Sequence, residues 1–270
     1  MTKTSLHTLL LRNVRYSISY GKYKYIAFFS FIAFLAIVMS VQMKVTGSNS
    51  VEIFYLLLKD KGYFLHISEY DPPLFWEFIQ FFVLFLIGDF LFHDFKHNRS
   101  YLLLRCRSRL QYVLSYIGWI FVQNIVIYLG VFFVIYVCAS CMMGNFSLEA
   151  SPYFKQVIQS ELVISVTPSE LVCRILFGYI MAGIVLSSIQ LLFMQLLSAP
   201  IVFFGTIIVS GMSTLSDNQW LPAIHSMILK QSIFDTEHHL TLQVSIVHSF
   251  VLYSVITMCI LFIFRKKDML

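Results

Sequence analysis

Residues 74–92 read LFWEFIQFFVLFLIGDFLF, a stretch in which Glu77 and Asp89 are the only charged side chains. A helix needs roughly 20 mostly apolar residues to cross a hydrocarbon core of about 30 Å, so this stretch predicts a membrane-spanning helix. Of the 270 residues in the chain, 58% are hydrophobic and 12% are charged, whereas soluble domains average about 25% charged. This composition excludes a disordered chain, a secreted disulfide scaffold and an ordinary cytosolic enzyme.

Five further stretches have the same apolar character, which predicts an all-α integral membrane protein with six transmembrane helices. The predicted spans are about Tyr25 to Val41, Leu74 to Phe92, Tyr112 to Ala139, Leu171 to Leu197, Pro200 to Leu215 and Ile246 to Phe264. Only Ser198 and Ala199 separate the fourth span from Pro200. Because proline cannot continue a regular helix, the fourth and fifth spans are predicted to form a tight helical hairpin.

Lysine and arginine residues are distributed unevenly around these spans, and such residues are retained on the cytoplasmic side of a membrane. The predicted cytoplasmic set is Lys3, Arg12, Arg15, Lys22, Lys24, Lys96, Arg99, Arg105, Arg107, Arg109, Arg265, Lys266 and Lys267. The outer set is Lys44, Lys59, Lys61, Lys155 and Lys230, with Arg174 in the outer part of the fourth span. This asymmetry predicts that both the N and the C terminus are cytoplasmic.

The segments outside the spans have apolar patterns of their own. Residues 1–24 carry apolar side chains at helical spacing, and they predict a cytoplasmic interfacial amphipathic helix ahead of a six-span domain of residues 25–270. The apolar side chains of this helix are Leu6, Leu9, Leu10, Val14 and Ile18. Such a helix either anchors the chain or transmits motion into the first span. The outer segments predict short half-inserted helices, with residues 216–245 as a re-entrant segment.

The motifs H-E-x-x-H, G-x-S-x-G and G-x-x-x-x-G-K-[ST] do not occur in the sequence, so neither a catalytic residue nor a nucleotide site is predicted. His238-His239 lacks a nearby third ligand, and no metal site is predicted. Asp89 is the deepest acidic residue of the spans, where a charge is costly. Two roles are open for Asp89: a structural pair with an arginine of the following loop, or a gate or proton site.

The predicted cytoplasmic loop of residues 94–111 places an apolar turn, Tyr101 to Leu104, between two basic clusters. One interpretation is that the basic residues only set the topology of the chain. The alternative is a docking element that presses the apolar turn into a groove on a cytoplasmic partner.

This layout resembles the permease subunits of ABC exporters. It is most similar to the type-two superfamily, in the branch of small Gram-positive permeases associated with peptide or bacteriocin export and immunity. Arg105-Cys106-Arg107-Ser108-Arg109, leading into Leu110-Gln111-Tyr112-Val113-Leu114, is similar to the R-S-x-R motif that opens the third span in that branch. The outer segment between the third and fourth spans is longer than that family usually has.

The resemblance implies that the basic loop is a coupling helix that binds ABC ATPase subunits. The coupling residues would be Arg99, Tyr101, Leu102, Leu103, Leu104, Arg105, Arg107 and Arg109. ATP and Mg would be bound by the partner ATPase, and no cofactor by this chain. The resemblance also implies a multi-pass protein of the bacterial cell membrane.

The resemblance further implies a second permease protomer, the same or homologous, with an amphipathic, peptidic substrate moving outward between the two. Small side chains let helices approach closely, so Gly205, Ser210 and Gly211 are predicted at the contact between protomers. The other partner is membrane lipid, and no nucleic acid is expected. Two alternatives are open: an immunity or sensor protein that binds a peptide without transport, and a membrane enzyme.

Overall fold

The computed structural model describes residues 5–63, 70–106, 108–237 and 239–266, and these residues form an all-helical chain without a β-strand. In chain order the helices are α1 (Leu6–Met43), α2 (Ser50–Leu58), α3 (Leu74–His97), α4 (Arg99–Arg105), α5 (Arg109–Met143), α6 (Gln159–Glu161), α7 (Pro168–Phe193), α8 (Ala199–Leu215) and α9 (Leu242–Lys266). A π-helical turn, Phe154–Ile158, precedes α6, and 3₁₀ turns lie at Lys44–Thr46 and Pro222–Ser226.

Five of the described helices, α1, α3, α5, α7 and α9, are long and apolar enough to cross a membrane. The length and apolar composition of these five helices are those of a multi-pass membrane protein. α8 is apolar but has 17 residues, which at 1.5 Å per residue gives a length of about 25 Å. The predicted count of six spans is not confirmed, since it depends on whether this shorter helix also crosses.

One end of the bundle collects much of the positive charge, and we call it the basic end. It comprises the start of α1, the end of α3, α4, the start of α5, the turn between α7 and α8, and the end of α9. Arg12 of α1 contacts Asp94 of α3, and Tyr112 of α5 contacts Phe264 of α9, which places these termini together. α7 and α8 form the predicted helical hairpin, joined at this end by the five residues 194–198.

α7 lies at the centre of the bundle, where it packs against α3, α5, α8 and α9. α1 is peripheral and packs along α5. Glycines of α5 permit this close approach: a Cβ on Gly118 would lie 2.6 Å from Leu10 Cδ1, and one on Gly130 would lie 2.9 Å from the Phe29 ring. The two longest helices are thus held side by side over most of their length.

The predicted interfacial helix is not a separate element. α1 runs without interruption from Leu6 to Met43, and 38 residues correspond to about 57 Å of helix, well beyond the thickness of a hydrocarbon core. Its predicted apolar stripe is divided in the structure: Leu9 is buried, whereas Leu6 and Ile18 are exposed. The N-terminal part of α1 continues the spanning helix instead of lying at the interface, because α5 extends equally far and this part of α1 packs against it.

The segments predicted to lie outside the membrane, which we call the outer segments, pack over the end of the bundle opposite the basic end. α2 is almost entirely buried and is capped by Asn49, whose side chain accepts from Val51 N while Glu52 accepts from Asn49 N. Residues 222–226 form a short 3₁₀ turn against α7 and α8 rather than a continuation of α8. The structure does not test how deep these residues lie in a membrane. The re-entrant segment at residues 216–245 therefore stays a prediction.

Candidate functional site

The predicted coupling element is a helix of its own, α4, between α3 and α5 at the basic end. Its side chains point in two directions. Leu102 is buried and Leu103 is half-buried against the bundle, whereas Tyr101 is 51% and Leu104 is 77% exposed. The structure thus corrects the prediction that the whole turn is available for docking: Leu102 fastens α4 to the bundle, because a seven-residue helix can bury only one face.

The arginines around α4 have different environments. Arg105 lies 4.0 Å from the Tyr101 ring centroid, so a cation and an aromatic ring form one exposed patch with Leu104. Arg99 is half-buried, and its Nε has no hydrogen-bond partner within the described part of the chain. Arg109 begins α5 and lines a groove beside α9. The predicted coupling residue Arg107 lies outside the described residues.

Beneath α4, a buried carboxylate joins three helices. Asp94 of α3 is fully buried and accepts two hydrogen bonds of 2.8 Å from the guanidinium of Arg12. It also accepts from Asn98 Nδ2 at 2.7 Å and from the hydroxyl of Tyr116 on α5. A two-pronged arginine–carboxylate pair fixes geometry as well as charge. This network holds the segment that leads into α4 against α1 and α5.

A polar seam continues this network along the α1–α5 contact. Asn13 Nδ2 donates to Ser115 Oγ at 3.2 Å, and Trp119 Nε1 donates to Ser17 Oγ at 3.1 Å. One turn further, Ser17 Oγ donates to Gln123 Oε1 at 3.3 Å. Polar side chains between helices in a membrane protein hydrogen-bond across the contact and so fix the register of the two helices.

Asp89 pairs with α1 and not with the following loop. Lys24 Nζ lies 2.5 Å from Asp89 Oδ2, and both side chains are partly exposed. The geometry is that of an ion pair, the first of the two roles open for Asp89, but the partner is a lysine of α1 and not an arginine of the following loop. The sequence identifies Lys24 only as one of the basic residues beside the first span, and nothing in it places Lys24 beside a residue 65 positions away.

Sequence reasoning also missed an aromatic–histidine cluster at the same end. His93 stacks on Tyr20 with ring centroids 4.1 Å apart, and its Nε2 lies 3.0 Å from the hydroxyl of Tyr16. His97 follows one turn later at 4.7 Å from His93. The signal that could have found this cluster is the i, i+4 spacing of each pair, Tyr16–Tyr20 and His93–His97, which puts two rings on one helix face.

The residues predicted at the protomer contact do not share one face of α8. A Cβ on Gly205 would meet no atom within 4 Å, and one on Gly211 would touch Phe81 at 4.0 Å. Ser210 is fully buried inside the chain, on the opposite side of α8 from the exposed Ile208. Seventeen residues of helix turn through several faces, and spacing alone did not establish which one faces outward. Ser210 is therefore excluded from an outward-facing contact.

The bundle interior contains further polar side chains between α3, α5, α7 and α8. Three interhelical hydrogen bonds, each 2.9 to 3.2 Å long, connect them: Tyr128 to Gln80, Asn124 to Ser187, and Gln190 to Thr206. Several amide atoms there have no partner within the described residues: Gln80 Nε2, Asn124 Oδ1 and Gln190 Oε1. This polar interior can attract water or another hydrogen-bonding group, because a buried amide without a partner is costly.

A polar cavity of about 310 Å³ lies at the opposite end, between the residues that follow α2 and the end of α8. Lys230 is buried there and donates to Ser213 O and Ser216 O at 3.1 Å each. Asp60 is buried and accepts from Leu229 N at 2.8 Å. Burial raises the pKa of Asp60 and lowers the pKa of Lys230. These contacts fasten the outer segment to the bundle.

Within the described residues, no group of three His, Cys, Asp or Glu side chains is placed to hold a metal ion. His239 of the predicted weak pair is exposed, and His238 lies outside the described residues. The five cysteines, including Cys138 and Cys141, are all free thiols.

The chain matches no known protein family, no curated protein and no solved structure to which it was compared.

Proposed function

We propose that the chain is the permease subunit of an ABC exporter and that ATP hydrolysis by a separate subunit drives it. The observation that carries the proposal is the exposed patch of α4. α4 is a short helix at the basic end, anchored by buried Leu102, that presents Tyr101, Leu104 and Arg105 to the exterior. Apolar anchors with a cationic rim suit a groove with an acidic rim on a soluble partner.

The same end offers a route by which movement of α4 reaches the membrane-spanning helices. α4 follows the last turn of α3, and that turn carries Asp94, whose carboxylate accepts hydrogen bonds from Arg12 of α1 and Tyr116 of α5. A force on α4 therefore acts on three helices together. The polar interior between α3, α5, α7 and α8 supplies hydrogen-bonding groups for a substrate that is polar on one side and apolar on the other.

The proposed topology has six spans with both termini in the cytoplasm, where the basic end lies. α8 supports the sixth crossing, because it starts at the basic end and Thr214, near its end, contacts Tyr70 at the opposite end, 2.9 Å between hydroxyl oxygens. Two protomers, the same or homologous, would pair through the exposed face of α8 around Gly205. The location would be the bacterial cell membrane, and the cargo an amphipathic peptide.

Association with an ATPase tests the proposal directly. Leu104→Asp and Tyr101→Asp each place a carboxylate in the exposed patch of α4 and should abolish co-purification with a co-expressed ABC ATPase subunit. Ser19→Asp is the matched control, since Ser19 is also exposed near the basic end but lies on α1. All three variants must remain inserted and folded. Unchanged co-purification of the α4 variants would refute the docking role.

Transport into inverted vesicles then separates export from peptide binding alone. With the ATPase present, we expect uptake of a labelled amphipathic peptide that stops when the ATPase is catalytically dead. Uptake that survives that variant but collapses with the proton gradient would refute ATP coupling and favour the Lys24–Asp89 pair as a proton site. Peptide binding without uptake would favour the alternative, an immunity or sensor protein.

A further inference from the structure

A groove of about 580 Å³ runs along the outside of the bundle at the basic end, between the start of α5 and the end of α9. Six of its lining side chains are apolar, and the two others are arginines, one from each helix. The lining residues are Arg109, Leu110, Val113, Met258, Leu261, Phe262, Phe264 and Arg265.

The groove opens toward the membrane, because its rims are exposed and apolar. Leu110 on α5, and Met258 and Phe262 on α9, are each more than half exposed. On a membrane-spanning bundle such surfaces face hydrocarbon. A molecule bound in the groove therefore lies in the bilayer beside these side chains. This position disfavours a soluble peptide or a nucleotide.

Both charges lie at one end of the groove. Arg109 is the first residue of α5, and Arg265 is next to the last residue of α9. Arginines at the ends of spanning helices extend to the headgroup level while their stems stay among apolar atoms. The groove thus has a cationic mouth at headgroup depth and an apolar floor at acyl-chain depth, which matches the two parts of a phospholipid.

The mouth is also suited to phosphate. Two guanidinium groups can each bind phosphate oxygens through paired N–H donors. The start of α5 adds the positive end of a 35-residue helix, capped by Ser108, whose Oγ accepts from Gln111 N at 3.1 Å. A zwitterionic headgroup would bring its own cation to this positive site, whereas an anionic headgroup would not.

We propose that this groove binds one anionic phospholipid, with its phosphate between Arg109 and Arg265 and one acyl chain along Val113, Met258 and Leu261. Arg109 then serves lipid binding instead of the coupling role implied for it by the sequence. The bound lipid would tie the end of α9 to the start of α5, directly beside α4. The site belongs to the chain itself and needs no ATPase.

Native mass spectrometry of the purified full chain tests the site. The protein is incubated with equal amounts of phosphatidylglycerol and phosphatidylcholine, and retained lipid is counted. We expect one phosphatidylglycerol per chain with about a 25-fold preference, since each basic residue near an anionic lipid contributes roughly a factor of five. Arg109→Gln combined with Arg265→Gln should reduce that preference to near unity. Arg15→Gln combined with Lys22→Gln, two exposed cations on α1, should leave it unchanged.

Three outcomes would overturn the proposal: equal retention of both lipids by the unmodified chain, an unchanged preference in the groove variant, or loss of the preference in the α1 control as well. Inorganic phosphate at millimolar concentration provides a further arm. If it displaces the lipid, the mouth is a site for free phosphate rather than for a phospholipid. Thermal unfolding verifies that each variant is folded. Because no ATPase is present, failure here leaves the proposed export function standing.

Discussion

Replacing Gly178 of α7 by alanine should weaken the attachment of the outer segment to the bundle. Gly178 is buried beneath the 3₁₀ turn Pro222–Ser226. A Cβ there would lie 2.7 Å from the backbone oxygen of His225 and 3.2 Å from Ser226 Cα. Both are backbone atoms, so no side-chain rotation relieves the overlap. The turn itself must shift away from α7.

The expected magnitude follows from two opposing effects. Overpacking of a tight contact costs about 1–3 kcal/mol, while exchange of glycine for alanine inside a helix gains about 1 kcal/mol. Gly205 of α8 is the matched control, because a Cβ there would meet nothing within 4 Å. The helix-propensity gain is common to both variants and cancels in their comparison. Gly178→Ala should therefore be about 1–3 kcal/mol less stable than Gly205→Ala.

Reversible unfolding in mixed micelles, followed by circular dichroism, measures this difference. Hydrogen exchange provides a local readout, and protection should fall in residues 222–233 of the Gly178 variant before it falls elsewhere. If Gly178→Ala were as stable as Gly205→Ala, with unchanged exchange in residues 222–233, the close packing of the outer turn on α7 would be refuted.

Two further predictions concern buried charge. Arg12→Ala should lower the free energy of unfolding by about 3 kcal/mol, because it leaves the buried Asp94 carboxylate without its cation. Asp94→Asn should lower it less, since no buried charge is left unpaired. Equal melting temperatures of Arg12→Ala and the unmodified chain would contradict this prediction. Burial and the neighbouring His248 lower the pKa of His225 from 6.5 to about 4. As the pH falls, the His225 imidazole is therefore protonated in the unfolded chain before it is protonated in the folded chain. Stability should then drop by about 2 kcal/mol between pH 7 and pH 5, and His225→Gln should remove that part of the pH dependence.

The local features of the sequence were strong enough to predict most helices. Long apolar runs indicate α3, α5 and α7, and Pro200 indicates the break between α7 and α8. These predictions succeed because a backbone in lipid must satisfy its own hydrogen bonds, which leaves helix as the structure for each run. The same local reasoning separated residues 1–24 from the first span, although α1 is continuous.

Side-chain direction was the part of the site that spacing could not provide. Tyr101, Leu102 and Leu104 share one short apolar turn, yet Leu102 is buried while the other two are exposed. Which side faces the bundle depends on how α4 leaves α3, and that is set by Asp94 and its partners on two other helices. In a membrane, the lipid-facing side and the protein-facing side of a helix can both be apolar. The apolar pattern therefore indicates less about which side of a helix is buried than it does in a soluble protein.

The sequence by itself therefore determined the class of the protein, the position of most of its helices and the accumulation of positive charge beside particular spans, because each depends on composition within one segment. The tertiary structure alone decided the pairs: Asp89 with Lys24, Asp94 with Arg12, and Gly178 with the backbone of His225. Such contacts join residues far apart in the chain. They depend on the relative rotation and register of whole helices, which are fixed only when the faces of several helices pack together.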